Sequence, residues 1–202
     1  MPERLRVLPA HDYRRERWRN GLGWTREIHR QPMPGAAQGG EDWLWRLSIA
    51  EVEQDAAFSA FPGIDRELVL LRGNGMRLRF DDGETVVLEP PHGRHRFAGE
   101  RPLRGEPVDG PTHDFNAMWR RDRIDAAMWH RPLAGSMVLF LEPGEHWAIH
   151  LLAGRADAAD GEHRCALAAT DTLLLDANAT RARFVLEGGG EALVIRFRSI
   201  AV

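Results

Sequence analysis

Hydrophobic and charged residues alternate along several short stretches of this chain, and glycine, proline, aspartate or asparagine separates one stretch from the next. Met76–Phe80 alternates apolar and charged side chains, which is the pattern of a strand with one face in solvent. Residues 81–83 (Asp, Asp, Gly) predict a tight turn, and Thr85–Leu88 predicts the strand that returns from it. The pattern therefore predicts a β-hairpin over residues 76–88.

A second hairpin is predicted near the C-terminus, where residues 181–186 and 192–198 flank a Glu-Gly-Gly-Gly-Glu run. Residues 121–130 fit a short helix by propensity and a strand by alternation, and both interpretations stay open. The other predicted strands are residues 43–52, 66–71, 137–141, 146–152 and 172–175. Many short strands with almost no amphipathic helical pattern predict an antiparallel sandwich or barrel.

The composition is that of a globular protein and excludes several chemistries. Hydrophobic residues make up 43% and charged residues 28%, which argues against disorder and against a disulfide scaffold. All 27 basic residues are Arg, so a Schiff-base lysine, a pyridoxal phosphate linkage and a P-loop lysine are excluded. The net charge of -3 gives no general field for nucleic acid or an anionic membrane, and we expect neither as a partner.

Cysteine usage and the N-terminus predict a cytoplasmic protein. The single Cys165 cannot form an internal disulfide, as is usual in a reducing compartment. Its apolar sequence neighbours favour a core residue over a nucleophile. No apolar signal-peptide region follows Met1, and the longest apolar runs are too short to span a bilayer.

The first of four polar and aromatic segments is WRNGLGWTREI, which begins at Trp18. Its Asn20 opens a turn, and the strand after that turn places Thr25 and Glu27 on one face. These four side chains belong either to an ordinary hairpin or to a binding loop, and the segment alone does not decide between the two.

The second segment, DWLWRLSIAEV, places Arg46 and Ser48 on one strand face and Trp43 and Trp45 on the other. An Arg beside a Ser, among small and apolar positions, does not resemble a freely solvated face. An Arg partly inside a barrel needs an anionic partner. That partner is either Glu27 or a ligand, and both alternatives remain open.

The third and fourth segments, FSAFPGIDRELVLLRG and THDFNAMWRR, supply aromatic walls, a hydroxyl, a second guanidinium, a carboxylate and an amide. Each residue type also occurs in loops and turns that close a core. The candidates from these segments are Phe58, Ser59, Phe61, Arg66, Asp114 and Asn116.

In this order the four segments resemble the HutD/Ves family of bacterial proteins, and the resemblance covers residues 17–121. It implies a bicupin, an all-β chain with two fused antiparallel β-barrels of jelly-roll type. The ligand pocket would lie in residues 1–118, and residues 119–202 would form the second barrel. The resemblance also implies a strand at residues 123–130. Family members are associated with histidine utilisation or stress responses, without a firmly assigned enzymatic activity, and N-formylglutamate is the ligand suggested for the histidine-utilisation members.

Cupins often hold a metal, but this sequence lacks their usual ligand pattern. A His-x-His pair does not occur, since His92 and His95 are three positions apart and His146 and His150 are four apart. The serines lack the Gly-x-Ser-x-Gly elbow of a nucleophile. We therefore predict no bound metal, no cofactor and no catalytic residue.

The sequence supports three hypotheses about function, each from a different class. The first is a non-catalytic protein that binds a small acidic metabolite such as N-formylglutamate, with Arg46 and Arg66 holding a dicarboxylate. Internal pairing of Arg46 with Glu27 would weaken that preference for a dianion. The second is a metal-independent cupin enzyme, an isomerase or hydrolase, acting on a small carboxylic acid. The third is an interaction module that uses an exposed face of Trp43 and Trp45, and homodimer formation is left open.

Overall fold

The computed structural model describes residues 4–35, 42–177 and 179–200. Over these residues the regular structure consists of sixteen strands and one 3-10 turn at Ala10–Asp12, which confirms the all-β prediction. The described part of the chain contains no helix with the length and apolar character of a membrane span. The strands are β1 Leu5–Leu8, β2 Arg14–Arg17, β3 Gly23–Pro32, β4 Trp43–Val52, β5 Ala56–Ala57, β6 Ile64–Arg72, β7 Met76–Phe80, β8 Thr85–Leu88, β9 Arg94–Ala98, β10 Leu103–Pro107, β11 Thr112–Arg120, β12 Ile124–Leu141, β13 Glu145–Ala159, β14 Arg164–Ala168, β15 Thr172–Asp176 and β16 Ala182–Ser199.

The hairpin predicted over residues 76–88 is confirmed by the pairing of β7 with β8. Met76, Leu78 and Phe80 are buried, whereas the two arginines between them are exposed. The tight turn between the strands contains Gly83 at φ +95°, a conformation that a residue with a Cβ rarely adopts. Alternation thus determines which face of this hairpin joins the core.

The chain forms two compact units. The N-terminal unit comprises Arg14–Asp122, and the C-terminal unit comprises the residues up to Tyr13 and those from Arg123 onward. The first strand belongs to the C-terminal unit because β1 pairs antiparallel with β15. The division at residues 118 and 119 suggested by the sequence contains no signal for this return of the N-terminal strand.

The N-terminal unit contains two sheets that share one core. The six-stranded sheet has the order β2-β3-β4-β11-β6-β9, and the four-stranded sheet has the order β5-β10-β7-β8. Over the described residues these sheets keep free edges, so the predicted barrel is an open, jelly-roll type of arrangement. Burial of each large apolar side chain stabilises such a core by about 1.5–3 kcal/mol. The main core residues are Ala50, Val52, Leu68 and Leu70 from the larger sheet and Met76, Leu78, Phe80, Leu88 and Leu103 from the smaller one.

The C-terminal unit is one sheet in the order β1-β15-β13-β16-β12, and β14 also pairs with β13. Residues 123–130 belong almost entirely to β12, as the family resemblance implied and against their local helix propensity. Cys165 lies partly buried against the apolar core of this unit. The unit thus consists of strands throughout its described residues.

The second predicted hairpin is wrong, because residues 182–199 form the single strand β16. The glycine run lies in the middle of β16 and pairs with β12 on one side and β13 on the other. A Cβ at Gly188 would lie 2.2 Å from the Arg155 carbonyl oxygen, and one at Gly190 would lie 1.9 Å from the Ala153 carbonyl oxygen. These glycines permit a close approach of three strands, and their sequence alone resembles a turn.

Candidate functional site

Several polar side chains point to the interior of the N-terminal unit from the larger sheet. In the pairing of β4 with β11, Ser48 lies opposite Asn116 and Ala50 lies opposite Asp114. Ala50 belongs to the core between the two sheets. Because side chains alternate along a strand, the neighbouring even-numbered positions share that inward face. We call Arg46, Ser48, Arg66, Asp114 and Asn116 the interior site.

Arg46 forms the internal ion pair that the sequence left open. Its Nε donates to Glu27 Oε2 at 2.7 Å, and Arg30 Nη2 donates to the same oxygen at 2.6 Å. The side chains of Arg46 and Glu27 are 16% and 23% exposed. Partial burial raises the pKa of Glu27, but the hydrogen bonds and charges of Arg30 and Arg46 outweigh it and hold this pKa below its usual value. Glu27 therefore stays ionised, and its single negative charge balances one of the two positive charges of Arg30 and Arg46.

Arg66 is the buried cation of the interior site. It is 4% exposed, and no described carboxylate forms an ion pair with its guanidinium. Its two hydrogen bonds, from Nε to Asn116 Oδ1 and from Nη1 to the Ser59 carbonyl oxygen, are both long at 3.5 Å. Burial lowers the pKa of Arg66 to about 10, the charge of Asp114 partly opposes that shift, and Arg46 adds to it. The guanidinium stays charged at neutral pH without a close counter-ion.

Aromatic rings surround the Arg66 guanidinium. Its central carbon lies 5.4 Å from the ring centroid of Phe58, 5.6 Å from that of Phe61 and 5.3 Å from that of Phe97. Such cation–π contacts partly replace the lost hydration of a buried cation. Phe58 and Phe61 were predicted as walls, whereas Phe97 was missed. Phe97 lies opposite Arg66 in the register of β9 with β6, and alternation within β9 alone does not give that register.

Asp114 is fully buried, with 0% exposure. Over the described residues neither of its carboxylate oxygens has a hydrogen-bond partner. Burial raises the pKa of Asp114 to about 7, and the positive charge of Arg66 limits the rise. The interior site thus holds a carboxyl group that is close to half ionised at neutral pH.

Trp18 and Thr25 close one side of the interior. Trp18 Nε1 donates to Thr25 Oγ1 at 2.8 Å, so each side chain orients the other. The Trp18 ring meets the Phe58 ring edge-on, with 6.1 Å between centroids. Thr25 lies opposite Ala50 in the register of β3 with β4. These contacts join the first predicted segment to the third.

Two predicted candidates do not bring their side chains to this group. Asn20 is exposed, and its Oδ1 accepts a hydrogen bond from the Leu22 backbone N–H at 3.0 Å, so Asn20 stabilises the turn. Ser59 is exposed and offers Arg66 its backbone oxygen. The turn and loop interpretations of these residues therefore account for their positions.

Three of the four histidines considered as metal ligands, His95, His146 and His150, contact other side chains of the fold. His146 pairs through Nδ1 with Asp176, and His150 Nδ1 lies 2.9 Å from Thr172 Oγ1. His95 stacks on Phe97 with 5.9 Å between ring centroids, and burial lowers its pKa. These contacts match structural roles for the three rings.

Both tryptophans of the proposed interaction face are buried, Trp43 at 8% exposure and Trp45 at 1%. The exposed aromatic patch required by the third hypothesis is therefore not present at these two residues. A separate open groove of about 390 Å³ is lined by Glu53, Gln54, Asp55, Pro107 and Gly110. Its acidic lining does not suit an anionic ligand, and it contains none of the predicted site residues.

Comparison with known proteins gives a family match over most of the chain. A sequence model of the HutD family matches residues 10–194. An uncharacterised 21.2 kDa protein from the hutC 3′ region of Pseudomonas putida is 36% identical over 124 residues, 61% of this chain and 63% of that protein. Protein Ves of Cronobacter sakazakii is 40% identical over 110 residues, 54% of this chain and 57% of that protein. The matched part spans less than two thirds of each of these two relatives.

Solved structures match nearly the whole chain. HutD from Pseudomonas fluorescens SBW25, solved in a formate condition, is 29% identical with a TM-score of 0.81, covering 98% of this chain and 100% of that one. A conserved protein of unknown function from Pseudomonas aeruginosa PAO1 has a TM-score of 0.84, with the same identity and coverage. A cupin 2 conserved barrel domain protein from Leptotrichia buccalis, 10% identical with a TM-score of 0.55 over 87% of this chain and 88% of that one, shares the cupin fold. With this fold and a family match over residues 10–194, the chain belongs to the HutD family.

Proposed function

We propose that this protein binds a small carboxylate metabolite, without catalysis, in the interior of its N-terminal unit. Arg66 carries the proposal, because it is 4% exposed and lacks an ion-pair partner among the described residues. Burying an unpaired charge is costly, and a ligand carboxylate would offset that cost by charge-assisted hydrogen bonds. The aromatic rings around Arg66 would strengthen those bonds by excluding water.

The charges around the interior site favour an anionic ligand. They do not predict a strong preference for a dianion over a monoanion. Arg46 and Arg30 share the single carboxylate of Glu27, and Arg66 has no close counter-ion. Asp114 is only partly ionised near neutral pH. Arg66 is therefore the expected carboxylate-binding group, and Arg46 contributes mainly to the positive potential.

N-formylglutamate is the specific ligand that we propose, in a role within histidine utilisation. Membership of the HutD family supports that context. The name of the Pseudomonas putida relative places that protein in the hutC 3′ region, and HutD from Pseudomonas fluorescens was solved in a formate condition. Both descriptions are compatible with a histidine-utilisation context for those proteins. Formate and N-formylglutamate both carry the carboxylate that Arg66 would bind.

The test is calorimetric titration of N-formylglutamate, glutamate and formate against the wild type and Arg66→Met. The substitution keeps most of the side-chain volume but removes the charge, so binding should weaken by about 2–4 kcal/mol. Arg72→Met, at the exposed end of the same strand, is the matched control and should bind like the wild type. Equal affinity in the wild type and Arg66→Met, or no binding of any acid by the wild type, would contradict the proposal.

A metal-independent cupin enzyme is the second candidate, and Asp114 is the observation that favours it. Burial brings the pKa of Asp114 to about 7, the range of a general acid or base at neutral pH. A hydrolase acting on N-formylglutamate would release formate, which proton NMR detects directly. Formate release by the wild type and not by Asp114→Asn would favour the enzyme over the binding protein.

A further inference from the structure

Asp114 carries an unexplained cost in the folded chain. It is fully buried, and neither of its oxygens has a hydrogen-bond partner over the described residues. A buried carboxyl group normally accepts or donates several hydrogen bonds, and leaving it without any is destabilising. The inward-facing neighbours on the adjoining strands, Ala50 and Leu70, offer it no polar group. A ligand would supply the partner that the chain does not.

The position of Asp114 relative to Arg66 suits a ligand with two polar ends. Arg66 lies opposite Met118, and its Nε reaches Asn116 Oδ1 at 3.5 Å, so the side chain extends along β11 toward Asp114. Asn116 and Asp114 occupy successive inward-facing positions on β11, about 7 Å apart along the strand. A chain of four or five atoms spans that separation, which is the size of a small amino-acid derivative.

Ionisable groups reach this interior from four other strands. Glu27 and Arg46 form their own pair on β3 and β4, Arg66 lies on β6, and His95 lies on β9. The smaller sheet contributes apolar side chains to the core opposite. Among these charged groups of the described residues, Arg66 is the one whose charge lowers the pKa of Asp114 against the effect of burial. Arg66 therefore favours an anionic group on a ligand, and Asp114 favours a hydrogen-bond donor.

We propose that Asp114 is a second recognition group of the interior site, which binds an amide group on a ligand whose carboxylate is held by Arg66. This inference rests on the proposed function and specifies its ligand class as a carboxylate with an amide at the far end. An ionised Asp114 accepts from the amide N–H, and a protonated Asp114 also donates to the amide carbonyl oxygen. An ester of the same shape lacks the N–H and leaves the ionised carboxylate unpaired.

The test uses two probes of equal length, the mono-N-methylamide of glutaric acid, hereafter the monoamide, and its monomethyl ester. Both keep the carboxylate for Arg66, and they differ at the end that would meet Asp114. Calorimetry on the wild type should show at least about tenfold tighter binding of the monoamide, the size expected for one hydrogen bond to a charged group. Asp114→Leu should bind both probes with equal affinity, because the leucine offers neither a donor nor an acceptor.

Two further variants separate recognition from a structural effect. Asp114→Asn keeps a donor and an acceptor and should retain preference for the amide. Thr112→Val removes another buried, unpartnered polar group from the same face of β11 and should leave the preference unchanged. Thermal unfolding of each variant checks that it folds.

The results distinguish this inference from the function on which it rests. Binding of both probes by the wild type with equal affinity, or an unchanged amide preference in Asp114→Leu, overturns the role of Asp114 and leaves Arg66 as a carboxylate site. Failure of the wild type to bind either probe contradicts both proposals. Loss of the preference in Thr112→Val also overturns the assignment to Asp114.

Discussion

At the scale of single residues, the buried charges of this protein differ in whether the chain supplies their partners. Glu145 is buried, yet it accepts hydrogen bonds from the Glu142 backbone N–H at 3.1 Å and from Trp147 Nε1 at 3.2 Å. Asp114 is also buried but has no hydrogen-bond partner over the described residues, and the buried Arg66 has only two long hydrogen bonds of 3.5 Å. Buried polar groups that lower the stability of a fold concentrate at functional sites. The burial of Asp114 and Arg66 therefore makes them stronger candidates for such a site than their residue types alone.

The raised pKa of Asp114 predicts a specific pH dependence of stability. The usual carboxyl value is 3.8 and the folded value is about 7, so the folded chain binds more protons than the unfolded chain between these limits. Stability should therefore fall as pH rises through this window. Asp114→Asn removes this titration. Its free energy of unfolding, relative to that of the wild type, should rise by up to about 4 kcal/mol as the pH increases toward 8.

Urea unfolding of the wild type and Asp114→Asn, at about pH 5 and about pH 8, measures this difference. The ligand must be absent, because a bound amide would satisfy Asp114 and reduce the effect. The same stability difference at both pH values would show that Asp114 does not titrate in this range.

The identity of the site could be predicted from the sequence only in part. Alternation along Trp43–Val52 correctly separates Arg46 and Ser48 from the two tryptophans, because that argument needs only local geometry. The encounter of Arg66 with Phe97 depends on the register of β6 with β9, strands that local patterns do not align. Whether Arg46 pairs with Glu27 or a ligand likewise depends on the register of β3 with β4.

At the scale of secondary-structure elements, the glycines of β16 show why a local pattern failed. A Gly-Gly-Gly run between two alternating stretches matches a turn, and local sequence carries no information on how closely other strands approach it. In the structure each glycine of the run has a partner on both β12 and β13. A central strand therefore takes the place of the predicted hairpin.

Replacing each of the three glycines by alanine should change the stability of the protein to a different extent. Gly188→Ala and Gly190→Ala would place a Cβ within 2.2 Å and 1.9 Å of backbone oxygens, and Gly190 also has φ +133°. Each should destabilise the protein by about 3 kcal/mol or more through overpacking and strain. Gly189→Ala is the matched control, since its nearest neighbour, the Leu133 carbonyl oxygen, lies 4.0 Å away.

Chemical unfolding of the three alanine variants measures these effects. The expected order of stability is Gly189→Ala, near the wild type, then the two other variants well below it. Near-wild-type stability of Gly188→Ala or Gly190→Ala would mean that the strands separate at little cost and that the close approach is not needed for the fold.

At the scale of the whole molecule, the two units divide their roles. The buried polar groups of the C-terminal unit, Glu145, His150 and Thr172, have hydrogen-bond partners within the unit, whereas the N-terminal unit buries the charged and amide groups of the candidate site. The chain passes between the units twice. β1 comes before the N-terminal unit in the sequence but pairs with β15 of the C-terminal unit, so the chain enters the N-terminal unit at Arg14 and leaves it after Asp122. The first strand therefore belongs to the unit that carries none of the candidate site residues.

This connectivity predicts where a defect in β1 is felt. Leu5 is buried in the C-terminal core and lies opposite Leu175, so Leu5→Asp places a charge there and should cost about 3 kcal/mol or more. Arg6→Asp introduces the same group at an exposed position of the same strand and serves as the control. Hydrogen exchange followed by mass spectrometry should show faster exchange in β15 for Leu5→Asp only, with β4 protected as in the wild type. Equal loss of protection in β4 would show that β1 also stabilises the N-terminal unit, and binding of carboxylates would then weaken with it.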